Sequence, residues 1–211
     1  MKAKILLFLL LAPCLLMAQY DYGFDFAKTG SGGLQFLKIG VGARESAMGE
    51  AVAGDVKDVN AVYWNPAGLA YATRYQASFS HNTWLVNSRQ MAAAVAIPLK
   101  TFTVALSALS FAIDDFEETT VTSPEGTGRM VSAGDLMVGL SAARMFTDKL
   151  SIGGQVKYVR EKLDDYSINN LLFDIGALYY TGFRSLRLAF SLQHFGPDME
   201  LVDQEYRTPL L

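Results

Sequence analysis

The chain reads as an all-β protein, an antiparallel transmembrane β-barrel of the outer-membrane type with an N-terminal plug or hatch in its lumen. Three observations predict this. An export signal opens the chain, and a stretch crowded with small residues follows at positions 40–69. From Arg74 onward, segments of roughly ten to thirteen residues alternate with period two, well beyond the five or six typical of soluble strands.

Residues 1–18 carry Lys2 and Lys4, then an apolar run from Ile5 to Met17, then Ala18 before Gln19, the pattern of a Sec signal peptide. The run falls short of the roughly 18 to 20 apolar residues that a spanning helix needs, and no later segment approaches that length. Cys14 is the only cysteine, and Leu11-Ala12-Pro13-Cys14 loosely resembles a lipobox. Pro13 and the apolar Leu15 to Met17 argue against lipidation, so the mature chain is expected to have neither thiol nor disulfide. About 190 residues then remain, enough for one ordinary domain. A formal charge of -3 without a basic cluster argues against nucleic-acid binding, and 51% hydrophobic with 18% charged residues is rich for a soluble secreted domain.

Residues 19–39 read as a linker and 40–73 as the hatch. In the hatch, Ala43, Ala47, Gly49, Ala51, Ala53 and Gly54 let a short helix pack closely in a narrow lumen. It ends in Trp64-Asn65-Pro66-Ala67-Gly68-Leu69, where Asn65 suits an N-cap, Pro66 the first helical position, and Gly68 a left-handed stop. Trp64 and the glycines are expected to make a structural corner rather than a ligand contact. Arg44, a lone cation among small residues, needs a carboxylate or carbonyl partner and is expected to anchor the plug. Asp55, Asp58 and Asn60 lack EF-hand spacing and read as a solvated turn, so no metal is expected. Gly40-Val41-Gly42 begins a dinucleotide pattern but does not complete it, and no cofactor is expected.

Residues 74–211 supply the barrel. The clearest strand, 150–161, places Leu150, Ile152, Gly154, Val156 and Tyr158 on one face and Ser151, Gly153, Gln155, Lys157 and Glu161 on the other. The same division sets Leu171, Phe173, Ile175, Ala177 and Tyr179 against Asp174 and Gly176, and Leu186, Leu188, Phe190 and Leu192 against Arg187, Ser191 and Gln193. Apolar-out, polar-in strands are predicted, with Gln155, Lys157, Asp174 and Arg187 in the lumen. Lys157, Asp174 and Arg187 are expected to form one salt-bridge network there. Segments 74–86, 89–99, 102–113 and 135–146 repeat the theme less cleanly, which brings the count to about seven strands. Tight connections at 100–101, 147–149 and 181–184 are expected to face longer ones at 114–134 and 162–169. Trp84, Tyr158, Tyr166, Tyr179, Tyr180 and Phe183 lie near strand ends, where a membrane interface favours them. The alternative, a soluble sandwich, fits less well with an export signal, strands this long and polar faces rich in Gly, Ala and Ser.

FLKIGVGARESAMGEAVAG at 36–54, DVNAVYWNPAGLA at 58–70 and LLFDIGALYYTGFRSLRLAFSLQHFGPDMELV at 171–202 resemble the PorV/PorQ-type outer-membrane proteins of the wider FadL-like barrel group. The resemblance covers most of the mature chain; Glu45, Ser46 and His194 depart from the family pattern. It implies an even-stranded barrel of about fourteen strands with the N-terminal segment as a hatch. Seven strands cannot close such a barrel, and the ending at Thr208-Pro209-Leu210-Leu211 lacks a terminal aromatic, so the chain reads as a truncated product or fragment.

Three functions are weighed. PorV-like members resemble carriers of the type IX secretion system, with cargo proteins or secretion-machinery subunits as partners. FadL-like relatives resemble channels for fatty acids and other hydrophobic solutes. The polar inward faces lean toward the carrier. An outer-membrane hydrolase would need a serine, histidine and acid constellation, but only His81 and His194 exist. Alternation sends His81 to the opposite face from Ser80 and Asn82, so no catalytic residues are expected. The expected location is the outer membrane of a Gram-negative bacterium, with outer-membrane lipid as a partner.

Overall fold

A computed structural model describes residues 33–164 and 166–197. The expected signal peptide, Cys14, most of the linker and the last fourteen positions, 198–211, lie outside the described residues. The described chain is all-β with a few short helices. A single seven-stranded antiparallel meander runs in the order β1 (Gln76–Thr83), β2 (Arg89–Pro98), β3 (Thr103–Glu117), β4 (Met130–Met145), β5 (Leu150–Leu163), β6 (Tyr166–Tyr180) and β7 (Arg187–Phe195). Each strand pairs only with its sequence neighbours, so β1 and β7 are the two edges and the sheet is open. No helix among the described residues is long and apolar enough to cross a membrane.

The period-two reading holds along the meander. On β5, Ser151, Gly153, Gln155, Lys157 and Val159 are buried, while Ile152, Val156 and Tyr158 are exposed. On β2 the buried set is Gln90, Ala92, Ala94 and Ala96, and the exposed set is Met91, Val95 and Ile97. Leu106, Leu140, Leu171, Phe173, Ile175, Leu188, Phe190 and Leu192 continue the exposed apolar face. The opposite, polar and small-residue face is covered by the N-terminal segment. Its Phe36, Val41, Val56, Val59, Val62, Tyr63 and Leu69 form one core with Ala92, Ala94, Ala96, Ala105, Leu109, Met137, Val159 and Leu172. The alanines of β2 and β3 leave room for these larger side chains, a volume complementarity that keeps the core close-packed.

Several expectations are corrected. The hatch region holds two short α-helices, Ala43–Ala47 and Ala61–Trp64, rather than one, separated by a turn-rich stretch, and a 3-10 helix follows at Pro66–Tyr71. The expected connection at 162–169 is largely taken up by strand: 162–163 belong to β5 and 166–169 to β6, with Leu163 paired to Tyr166, because the ladder between β5 and β6 continues to its end. The connection at 114–134 shrinks to 118–129, and Arg129 pins it with ion pairs to Glu118 at 3.5 Å and to Asp164. Tyr180 follows Tyr179 in an alternating strand, so it turns inward against Tyr71, with ring centroids 5.8 Å apart, rather than to an outer belt. Trp84, Tyr158, Tyr179 and Phe183 are exposed.

Candidate functional site

The site is the contact between the segment 40–71 and the buried face of β4–β7. Asn65 is completely buried and holds it from both sides. Its Oδ1 accepts from Ala67 N at 3.1 Å, which is the expected N-cap. Its Nδ2 donates to Ala53 O at 2.8 Å, with Phe190 O and Ala177 O beyond at 3.3 and 3.4 Å. One side chain thus caps a helix, ties off the preceding loop and meets two strands.

Pro66 lies against bare backbone. Gly153 of β5 faces Gly176 of β6 across the ladder. A Cβ on Gly153 would stand 2.5 Å from Pro66 backbone atoms, and one on Gly176 would stand 1.9 Å from Asn65 Oδ1. The glycine pair is a flat patch on which the Asn65-Pro66 turn lands, a use of glycine that strand periodicity does not signal. Gly68 is corrected: the 3-10 helix runs through it to Tyr71. Glycine is required there because a Cβ would meet Val56 O at 2.2 Å. Gly49 is left-handed, φ 63°, just after the helix Ala43–Ala47.

Edge strand β7 adds three more ties. Ser191 Oγ donates to Trp64 O at 2.8 Å, and Gln193 Nε2 donates to Tyr63 O at 3.1 Å and also reaches Trp64 O. Arg187 Nη1 donates to Asp55 Oδ1 at 2.7 Å and to Gly54 O at 3.3 Å. Arg44 meets the other oxygen of the same carboxylate. Of the carboxylate or carbonyl partner expected for Arg44, the structure supplies a carboxylate, but that partner lies in the segment itself, and Asp55 passes the tie on to Arg187. The two guanidiniums, Arg187 first, hold the Asp55 carboxyl below its usual range. Trp64 Nε1 donates to Val41 O at 3.0 Å, and the Tyr63 hydroxyl lies 2.8 and 3.0 Å from the carbonyls of Ala93 and Ala108, so the expected corner is well tied.

The expected salt-bridge network divides. Lys157 and Asp174 form a buried ion pair, each about 1% exposed, whereas Arg187 belongs to the Asp55 clasp. Gln155 completes the buried pair: its amide nitrogen faces Val62 O at 2.7 Å and Asp174 Oδ2 at 3.2 Å, and its oxygen faces the Ser107 and Ser141 hydroxyls at 2.9 and 3.2 Å.

His194 owes its place to a backbone irregularity near the end of β7. Register slips between Phe173 and Ile175 of β6, so β7 carries one extra residue there, and His194 adopts φ 58°. This bulge turns Gln193 and His194 to the same inner side. His194 N donates to Asp174 Oδ1 at 2.8 Å, and its Nδ1 lies 3.2 Å from Lys157 Nζ. One residue before the end of β7, His194 closes the polar cluster.

Beside that cluster lies a chamber of about 280 Å³ lined by Leu37, Val41, Trp64, Met137, Lys157 and His194. Gly40 and Glu50 line both it and a second cavity that reaches Ser80 and Asn82 on β1. Glu45 is buried, with both carboxylate oxygens lacking a hydrogen bond and Arg44 Nη1 at 3.6 Å. Among the described residues no group of three or more His, Cys, Asp or Glu side chains is placed to hold a metal. His81 faces away from Ser80 and Asn82 on β1. No protein-family model matches the chain, and no curated protein matches it.

Proposed function

We propose that the chain forms part of the wall and hatch of an outer-membrane β-barrel, exported through the Sec pathway, and acts without catalysis as a carrier or component of a type IX protein secretion system. One observation carries the reading. A sheet of long strands turns an apolar face outward and a polar face inward, and a small-residue segment is fastened on the polar face by Asn65, Ser191, Gln193 and Arg187. Apolar-out and polar-in is the pattern that lipid on one side and a lumen on the other demand. With seven strands in the described sheet, closure requires further strands, since unpaired backbone facing lipid is costly. The buried Lys157–Asp174 pair and the clasped segment favour a shut lumen, which leaves the loops for handling protein cargo.

The resemblance to PorV/PorQ-type proteins supplies the secretion role. Its test is a comparison of surface and culture-medium proteins with and without the gene. Loss from the surface of proteins bearing C-terminal signal domains, with their retention in the periplasm, is the expected result. An unchanged set of secreted proteins refutes the carrier reading. The chamber beside Trp64 and Met137 favours a second reading, a FadL-like channel for hydrophobic solutes.

A further inference from the structure

Five side chains from five stretches of chain meet at the end of the sheet that carries the 146–149 and 181–186 connections. Ser151 opens β5, Tyr180 closes β6, Arg187 opens β7, Tyr71 ends the 3-10 helix, and Lys57 sits in the turn-rich stretch before it. Lys57 Nζ lies 5.0 Å from the Tyr180 ring centroid and 5.5 Å from that of Tyr71, and Arg187 lies 5.5 Å over Tyr180. The hydroxyls of Ser151, Tyr71 and Tyr180 are all buried and lie toward one another, and none makes a well-formed hydrogen bond to any other group among the described residues. Ser151 is completely buried.

Orphaned buried hydroxyls are costly, and native structures rarely keep three together without a partner. The chemistry around them is one-sided. Lys57 forms no ion pair among the described residues, and Arg187 spends only Nη1 on Asp55 and Gly54. The Lys57 ammonium and the remaining guanidinium N–H groups thus add further donors beside the Asp55 carboxylate that already holds Arg187 Nη1. A water molecule could satisfy the hydroxyls, but it would leave the ammonium charge without a counterion. An oxyanion satisfies both demands, and the number of donors exceeds what two carboxylate oxygens take up. Burial also pushes the Tyr71 hydroxyl above its usual titration range, which keeps it a donor.

We infer that Lys57, Tyr71, Ser151, Tyr180 and Arg187 form a binding site for a phosphate group, carried by a soluble phosphate or by a phospholipid headgroup. The site stands on this geometry and is independent of the secretion reading. Its position fits a structural role: an anion there would bind segment, β5, β6 and β7 together beside the Asp55 clasp.

The experiment uses the full chain, purified in detergent and delipidated, with its thermal midpoint followed at constant ionic strength in sodium chloride. One arm adds inorganic phosphate and the other adds phosphatidylglycerol to the same micelles. The expected result is a saturable rise in midpoint, with half-saturation moved at least about tenfold higher in Lys57→Met, as befits loss of one charged contact. Ser151→Ala, which deletes one hydroxyl without adding bulk, should move it in the same direction. A rise with both additives assigns a site open to soluble phosphate, and a rise with lipid alone assigns a headgroup. No saturable rise in either arm, or equal rises in the parent and both variants, would overturn the inference.

Discussion

Asn65 offers the sharpest test of how the segment is held, because two substitutions separate its two jobs. If Asn65 were only a helix cap, Asp would replace it without loss, since a carboxylate accepts from Ala67 N at least as well as an amide oxygen does. The structure gives the other end of the side chain a different duty. Its Nδ2 faces three carbonyls, Ala53 O at 2.8 Å, Phe190 O at 3.3 Å and Ala177 O at 3.4 Å. Asn65→Ala removes the cap and the Ala53 bond, leaving a buried N–H and a buried C=O unpaired, at a cost of about 2–4 kcal/mol. At roughly 2–4 °C per kcal/mol for a chain of this size, the midpoint should fall by about 5–15 °C. Asn65→Asp points a carboxylate oxygen at three carbonyl oxygens in a fully buried place, and an uncompensated buried charge costs about 3–5 kcal/mol. Asp should therefore be worse than Ala at pH 7. Thermal unfolding in detergent gives the midpoints, and limited proteolysis scored for cleavage within 40–71 shows whether the segment has come off the sheet. An Asn65→Asp protein as stable and protease-resistant as the parent would refute the docking role and leave Asn65 a cap.

Three further outcomes follow from the same contacts. Gly153→Ala should destabilise by roughly 1–3 kcal/mol through overpacking against Pro66, whereas Gly154→Ala next to it, whose Cβ would have nothing nearer than 3.7 Å, should unfold within about 1 °C of the parent. Lys157→Met alone should cost about 3–5 kcal/mol by stranding Asp174, and Lys157→Met combined with Asp174→Asn should recover much of it in urea titrations; equal losses in both proteins would show that the ion pair itself is not the issue. The Asp55 carboxyl is held below its usual range, so its contribution is full above the unfolded value near 4 and fades as pH falls through the lower folded value; protease resistance of the segment should drop below about pH 4 in the parent, with that acid limb missing in Asp55→Asn.

Much of the candidate site was legible in residue types and their spacing. The Trp64-Asn65-Pro66 run announced a capped turn, Arg44 announced a carboxylate or carbonyl partner, and parity alone put Gln155, Lys157 and Asp174 on one face. Other features were not legible, because they depend on pairing between distant strands. The Gly153–Gly176 patch exists only through the register of β5 on β6, and Arg187 chooses Asp55 over Asp174 because it lies at the start of β7, far along the strand from the bulge. The bulge matters most: strict alternation sends His194 outward, and one extra residue in β7 brings it in to Lys157.

The sequence by itself determined an all-β chain with one apolar and one polar face per strand, since period-two alternation is a local property that burial on one side imposes. It also determined that a small-residue segment precedes the strands. Only the tertiary structure decided where that segment lies, which glycines receive it, and how the charges divide into an Asp55 clasp and a Lys157–Asp174–His194 cluster. Those outcomes turn on register and on a single backbone irregularity, and a shift of one residue in either would exchange the faces without changing the alternation that the sequence displays.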